Sequence, residues 1–168
     1  RVQFLTGVLH ATLSNAGHQV LNSTFFDTLT IRTEDHEALA QKARENGYNL
    51  RVDVRGQVGI SLDETTQLSD IETIAEIFTG SRELCEPTDG IPSTLKREVD
   101  YLQHPLFSDY RSETEMLRYM RRLETKDIAL NQAMIPLGSC TMKLNATVEM
   151  IPVTWPEFAN MHPFAPAD

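Results

Sequence analysis

From position 131 onward the chain carries Pro136, Pro152, Pro156, Pro163 and Pro166, and this spacing sets the strongest limit on what it can fold into. Proline lacks the backbone N–H and fixes φ, so no long helix or central strand fits between these positions. The segment is nevertheless apolar, with Met134, Ile135, Leu137, Met150, Ile151, Val153, Trp155 and Phe158. Irregular backbone bearing apolar side chains needs another surface to cover it. The sequence therefore predicts an arm here, not a self-contained domain.

The first half reads differently. Leu5, Leu9, Leu13 and Ala16 recur at helical spacing with Val8 beside them, and Gly17 follows where a left-handed C-cap is favoured, which predicts a helix over 2–16. Residues 24–31 are rich in β-branched and aromatic types and read as an edge-like strand, with Phe25, Leu29 and Ile31 on one face and Asp27 breaking the alternation. Asp35 as cap and Gly47 as stop bracket a short helix over 37–46 that carries Leu39, Ala40 and Ala43. Leu50, Val52 and Val54 alternate with Arg51, Asp53 and Arg55, and after Gly56 and Gln57 the alternation resumes as Val58, Ile60 and Leu62, a hairpin with one buried face. Ser69-Asp70-Ile71-Glu72 has capping-box spacing and opens a helix striped by Ile71, Ile74, Ala75 and Phe78, with Gly80 at its end.

Helix, strand, helix, hairpin and helix in that order predict an α/β fold of the α+β kind, complete within residues 1–80. Residues 81–92 are polar and turn-forming, with Pro87, Asp89, Gly90 and Pro92, and read as a linker. The remainder, 93–168, is the partly helical arm. Its one long helix starts at Ser112-Glu113-Thr114-Glu115; Met116, Leu117, Met120 and Leu123 face one way, and Arg118, Arg121 and Arg122 mainly the other. Pairing with Glu115 or Thr125 suffices to keep the arginine face solvated, and Arg51 and Arg55, with Asp53 between them, read as a solvated strand face.

Fifteen Lys and Arg stand against 24 Asp and Glu, a formal charge of −9, which repels a phosphate backbone and argues against nucleic acid as a partner. No apolar stretch approaches bilayer length, so no membrane partner is expected. Cys85 and Cys140 are too few for a disulfide framework and lack CxxC spacing, which points to a reducing compartment. His10, His18, His36 and His104 are scattered without a third ligand, so no metal site is expected. Arg1 opens the chain without Met, and both ends look like cuts in a longer polypeptide.

The most distinctive run is Ile135-Pro136-Leu137-Gly138-Ser139-Cys140-Thr141-Met142-Lys143-Leu144-Asn145. A glycine turn followed by two hydroxyls, a thiol, an ammonium and an amide can cradle an anion. It can equally be a polar turn whose Ser and Thr bond their own backbone and whose Asn145 caps a helix over 146–150. Cys140 with His162 has the residue types of a thiol nucleophile and its base, but neither carries a hydrolase signature, and a small packed thiol is the better reading.

Gly138 to Asn145, followed by Met150-Ile151-Pro152-Val153-Thr154-Trp155-Pro156-Glu157-Phe158 and His162-Pro163-Phe164-Ala165-Pro166, resembles the start of the C-terminal half of the P-proteins of the glycine cleavage system. Phe25-Phe26-Asp27-Thr28 after a Gly-His loop, and the 50–62 hairpin, resemble the end of the N-terminal, pseudo-symmetric half. The resemblance covers essentially all 168 residues. It implies a fold-type-I pyridoxal-phosphate enzyme, with 1–80 the small domain that closes the catalytically silent half and 93–168 the beginning of the catalytic half. It implies a fused, homodimeric protein that decarboxylates glycine and passes the aminomethyl group to the lipoyl arm of H-protein. The compartment is then the cytoplasm in a bacterium and the mitochondrial matrix in a eukaryote.

The same resemblance places the imine-forming Lys beyond Asp168. No catalytic residue is then expected in these 168, and the chain alone is expected to hold no cofactor and to be inactive. Ser139, Cys140, Thr141, Lys143 and Asn145 become candidates for contact with pyridoxal phosphate, Lys143 through its charge near the cofactor phosphate or substrate carboxylate, or else as a surface ion pair. The rival from another class is a non-catalytic, soluble α/β docking domain for a partner chain.

Overall fold

The computed structural model describes residues 1–53, 55–129, 131, 132, 134 and 146–165. It is a mixed fold of helices and antiparallel sheet, in two units built from Arg1–Lys96 and Arg97–Phe164.

In the first unit, helix α1 (Val2–Asn15) buries Leu5, Val8, Leu9 and Leu13. It ends where Gly17 takes φ +90°, and the N–H groups of His18 and Gly17 reach back to the carbonyls of Leu13 and Ser14, each at 3.0 Å. Those bonds satisfy carbonyls the helix leaves open. The helix is thereby closed before Ala16, which is exposed and not part of the apolar stripe the sequence suggested. Immediately afterwards Gln19–Val20 forms β1, a two-residue strand invisible to pattern reading.

Strand β2 (Thr28–Arg32) pairs with β1 on one side and with β4 (Gln57–Ser61) on the other, while β3 (Arg51–Asp53) pairs with β4 alone. The antiparallel order is β1-β2-β4-β3, so β2 is an interior strand and the edge reading of 24–31 is corrected. Interior placement follows from burial: Leu29 and Ile31 are fully buried, with Ile60 and Val58 as their cross-strand partners.

Helix α2 (His36–Glu45) turns Ala40 and Ala43 inward. The Asp35 carboxylate makes no cap bond; instead Thr33 Oγ1 accepts the Asp35 N–H at 3.2 Å. Helix α3 (Leu68–Thr79) buries Ile71, Ile74, Ala75, Ile77 and Phe78. It starts two residues earlier than the Ser69/Glu72 box would place it. Asp70 explains the shift: its Oδ2 accepts the Gln67 N–H at 2.7 Å, and its Oδ1 accepts the Tyr48 hydroxyl at 2.8 Å, so one carboxylate serves both the helix start and the end of the α2 loop. Partial burial, then the Asp70 bond, push the Tyr48 phenol up from its ordinary value.

Residues 81–92, expected as a linker, lack regular structure but lie bonded to the first unit, which runs on to Lys96. The Cys85 N–H donates to Thr12 Oγ1 at 3.0 Å, Thr88 N–H to Gly7 O at 3.1 Å, and Phe25 N–H to Gly90 O at 3.0 Å. Gly7 makes this possible, because a Cβ there would stand 2.3 Å from the Thr88 carbonyl oxygen. Polar composition reports solvent on one side of a segment and leaves the backbone free to bond on the other.

The second unit holds α4 (Leu106–Asp109), α5 (Glu113–Glu124), α6 (Thr147–Met150), a 3-10 turn at Ile151–Thr154 and α7 (Pro156–Ala159). Among its described residues no side chain is buried. The α5 start matches its sequence signature: Ser112 Oγ accepts the Glu115 N–H at 3.2 Å, and Glu115 Oε2 accepts the Ser112 N–H at 3.0 Å. Glu115 is thereby engaged, and its carboxyl is held below the usual range by the Ser112 hydroxyl and neighbouring N–H groups. The arginines use other partners, Arg121 pairing with Glu124 at 2.6 Å and Arg122 lying over the stacked rings of Tyr110 and Tyr119.

Candidate functional site

The candidate loop, with Ser139, Cys140, Thr141, Lys143 and Asn145, lies outside the described residues. Its exit is described. Ala146 is extended at φ −63°, ψ 146° and serves as N-cap of α6, one residue later than the cap expected at Asn145. Glu149 Oε2 accepts the Ala146 N–H at 3.0 Å, and Ala146 O accepts the Glu149 N–H at the same distance. A carboxylate folded back over its own first turn fixes where the backbone leaves the loop.

Beyond α6 the prolines act where a missing N–H is harmless. Pro152 sits in the first positions of the 3-10 turn, and Pro156 opens α7. Trp155 and Phe158 stand 6.2 Å apart, and an apolar depression of about 480 Å³ is lined by Pro152, Val153, Phe158 and Ala159. His162 Nδ1 accepts the Phe164 N–H at 3.0 Å. That local turn occupies the nitrogen, and the Cys140 thiol considered beside it lies outside the described residues.

Two lysines of the first unit can be placed. Lys42 Nζ donates to the carbonyls of Ile77 at 3.1 Å and Glu76 at 3.4 Å, closing the last turn of α3. Lys96 pairs with Asp89 and draws that carboxyl below its usual range. Lys42 lines a depression of about 310 Å³ with Asn46, Glu76, Ile77 and Gly80, but its ammonium is committed to the α3 carbonyls, and the Lys96 ammonium to Asp89, so neither is free to form an imine with pyridoxal phosphate. No group of three His, Cys, Asp or Glu among them is arranged to hold a metal ion, and none of their helices is long and apolar enough to cross a membrane.

Sequence reading missed two polar features. Thr12, fully inside the first unit, donates its hydroxyl to Val8 O at 2.8 Å while accepting the Cys85 N–H. His10 stacks on Phe25 at 4.7 Å with a buried Nδ1 that finds no partner among the described residues. Burial pushes the His10 imidazole below its ordinary value, partly offset by a hydrogen bond to the Asn22 backbone. A glycine inside the α1 pattern was the available signal, since it marks a place where another backbone approaches closely. None of these groups forms a nucleophile–base pair; they position backbone.

Comparison with known proteins gives a consistent picture. Residues 1–78 match the glycine cleavage system P-protein family. Along its entire length the chain is 48% identical, over 178 aligned positions, to glycine dehydrogenase (decarboxylating) of Serratia proteamaculans strain 568. The same identity and coverage hold for the proteins of that name from Yersinia pestis strain Pestoides F and Yersinia pseudotuberculosis serotype O:1b. The chain spans 19% of the length of each.

Proposed function

The chain belongs to the P-protein family of the glycine cleavage system, and from that premise we propose that it works as the stretch joining the two halves of a glycine dehydrogenase (decarboxylating). The observation that carries this reading is 48% overall identity in an alignment that covers all 168 residues, the 1–80 region and the 93–168 region alike. The whole protein decarboxylates glycine and passes the aminomethyl group to the lipoyl arm of H-protein, as a homodimer of fused chains. Residues 1–80 form the small domain of the first half, 81–92 the passage between halves, and 93–168 the opening of the second half.

Pyridoxal phosphate, when bound to the whole protein, supplies an electron sink for the pair left by departing carbon dioxide. Its imine-forming Lys lies outside these residues. What this chain contributes is the 138–145 loop. Ser139 and Thr141 offer hydroxyl donors, Asn145 an amide, and Cys140 a small neighbouring thiol. The Lys143 ammonium balances an anionic phosphate or carboxylate. Glu149, bonded to Ala146, holds the exit of the loop in place.

A hydrogen bond to a charged group contributes roughly 1.5–3 kcal/mol, or about one to two decades in rate if expressed in the transition state. Lys143→Met in the full-length protein is therefore expected to lower exchange of labelled bicarbonate with the glycine carboxyl group, or cofactor retention, at least tenfold. Its thermal midpoint is expected to stay nearly constant, because a surface ion pair contributes only about 0–1 kcal/mol. Unchanged exchange together with unchanged cofactor affinity returns Lys143 to the solvated surface and leaves the rival docking role standing.

A further inference from the structure

We propose that a depression at one end of the β2–β4 pair is an oxyanion site, in which the guanidinium groups of Arg32 and Arg55 take up a carboxylate or a phosphate. The site goes beyond the decarboxylation reading and is independent of what the 138–145 loop does.

Backbone pairing brings the two arginines together. Arg32 is the last residue of β2 and pairs with Gln57, the first of β4, on the sheet face opposite the buried Ile31. Arg55 stands in the turn between β3 and β4, two residues before Gln57. The Thr33 N–H donates to Gly56 O at 3.0 Å, which ties the residue after Arg32 to the residue after Arg55. Both arginines are exposed and line one depression of about 670 Å³.

Neither guanidinium is neutralised. The chain carries 24 Asp and Glu against 15 Lys and Arg, yet among the described residues no carboxylate stands within 4.0 Å of Arg32 or Arg55. Asp53, which the sequence places between Arg51 and Arg55, accepts the Arg55 backbone N–H on Oδ1 at 2.8 Å instead, and Glu34 lines the depression without pairing with either arginine. Like charges that share one hollow repel, and a shared oxyanion removes that repulsion. His36 forms a further wall, its ring against Gly56, where φ is +70° and a Cβ would come 3.7 Å from Nδ1. That nitrogen is buried with no hydrogen-bond partner among the described residues, and Nε2 is 4.0 Å from Glu37 Oε1, beyond hydrogen-bond reach. No hydrogen bond locks the ring, and an anion that draws Nδ1 outward supplies the acceptor it lacks. Guanidinium forks match the paired oxygens of a carboxylate or phosphate, which sets the ligand class.

The test is amide exchange, read by mass spectrometry, on full-length protein loaded with pyridoxal phosphate and desalted, then titrated with inorganic phosphate at an ionic strength held constant with chloride. Peptides holding residues 30–38 and 53–58 are followed in the parent, in Arg32→Gln/Arg55→Gln and in Arg32→Lys/Arg55→Lys. If the site takes a free oxyanion, phosphate at about ten times its dissociation constant slows exchange of these parent peptides about tenfold and leaves the glutamine pair unaffected. If the oxyanion is a carboxylate of the same polypeptide, phosphate changes nothing in the parent, the glutamine pair exchanges at least about tenfold faster there, and the lysine pair, which keeps the charge, returns toward the parent. Equal exchange in all three proteins with and without phosphate overturns the proposal. So does a phosphate effect that survives in the glutamine pair, or faster exchange that the lysine pair fails to restore. Should a variant fail to fold, as far-UV circular dichroism would show, the parent is titrated after phenylglyoxal modification with and without phosphate: Arg32 and Arg55 modified at the same rate in both, and as fast as free arginine, overturn it. Bicarbonate exchange with glycine is expected at the parent level in both variants, and its absence from the parent leaves the anion result standing, so the two readings fail separately.

Discussion

Arg1–Lys96 and Arg97–Phe164 are of comparable composition and unlike construction. The first closes around Leu9, Leu13, Leu29, Ile31, Val58 and Ile71, all with no exposed surface, and every one of its long helices lays a stripe on that core. The second has capped helices, stacked tyrosines and an ion pair, yet no described side chain is buried. Local signals can therefore be fully satisfied without a core. Capping fixes where a helix begins; only burial of its apolar face decides whether the helix holds.

The comparison breaks most directly at one leucine in each unit. Leu9→Ala in the 168-residue chain is expected to lower unfolding free energy by about 2–5 kcal/mol through lost transfer energy and a residual cavity, read as a fall in the urea midpoint by far-UV circular dichroism. Leu117→Ala, on the open face of α5, is expected to change it by no more than about 0.5 kcal/mol. Equal effects would mean that the second unit owns a core after all.

Gly7→Ala comes next, because its new Cβ meets the Thr88 carbonyl oxygen at 2.3 Å. Overpacking of this kind costs about 1–3 kcal/mol, and here it acts on the 81–96 segment. Limited proteolysis of the parent chain is expected to begin within 97–164 and to spare 81–92; in Gly7→Ala, cleavage within 81–92 moves to the front. If the parent is cut first there, the segment is a free linker and the first unit ends at residue 80.

Ser112→Ala is smaller, about 1 kcal/mol from loss of one half of a capping box. Since α5 is uncovered in this chain, the effect is expected only as faster amide exchange across 113–124, with no shift of the main urea transition. A shift would show that α5 and the first unit unfold together.

The smallest expected effect is a pH dependence at His10. Its folded pKa lies below the ordinary value of 6.5, so near and below that pH the unfolded chain binds a proton that the folded unit refuses. Stability from this source is complete above pH 6.5, falls as pH drops below it, and levels off once the lowered folded pKa is passed. His10→Gln is expected to flatten the urea midpoint between pH 7.5 and 5.5 relative to the parent. Asp63, Asp89 and Glu115, whose carboxyls are lowered by hydrogen bonds, act in the opposite window: their contribution is present above the usual carboxylate range and is lost under more acid conditions.

Periodic features were the legible ones. The α1 and α3 stripes, the alternation of Val58, Ile60 and Leu62, and the Ser112/Glu115 box each repeat a chemical pattern at the period of the backbone that carries it. What escaped depends on single contacts between residues far apart in sequence. Strand β1 is two residues long and exists because β2 offers it a partner. The α3 start moved to Gln67 because Asp70 serves Tyr48 as well as its own helix. Segment 81–92 is held by donors and acceptors whose spacing has no local period. Identity in the 138–145 loop was read from its order of residues, which carries no geometry.

The bond from Cys85 N–H to Thr12 Oγ1 spans 73 positions, and that from Thr88 N–H to Gly7 O ties the same two stretches together. During synthesis α1 is among the first parts of this unit to leave the ribosome, and 81–96 the last. The helix must therefore wait with the Gly7 carbonyl and the acceptor side of the Thr12 hydroxyl without these partners while roughly eighty residues are added, a matter of several seconds at ordinary elongation rates. Closure of the long loop, not formation of any helix or hairpin, is then the slow event in maturation of the unit. A ribosome stalled before Cys85 has emerged holds a sheet and three helices whose oldest element is still open on one side.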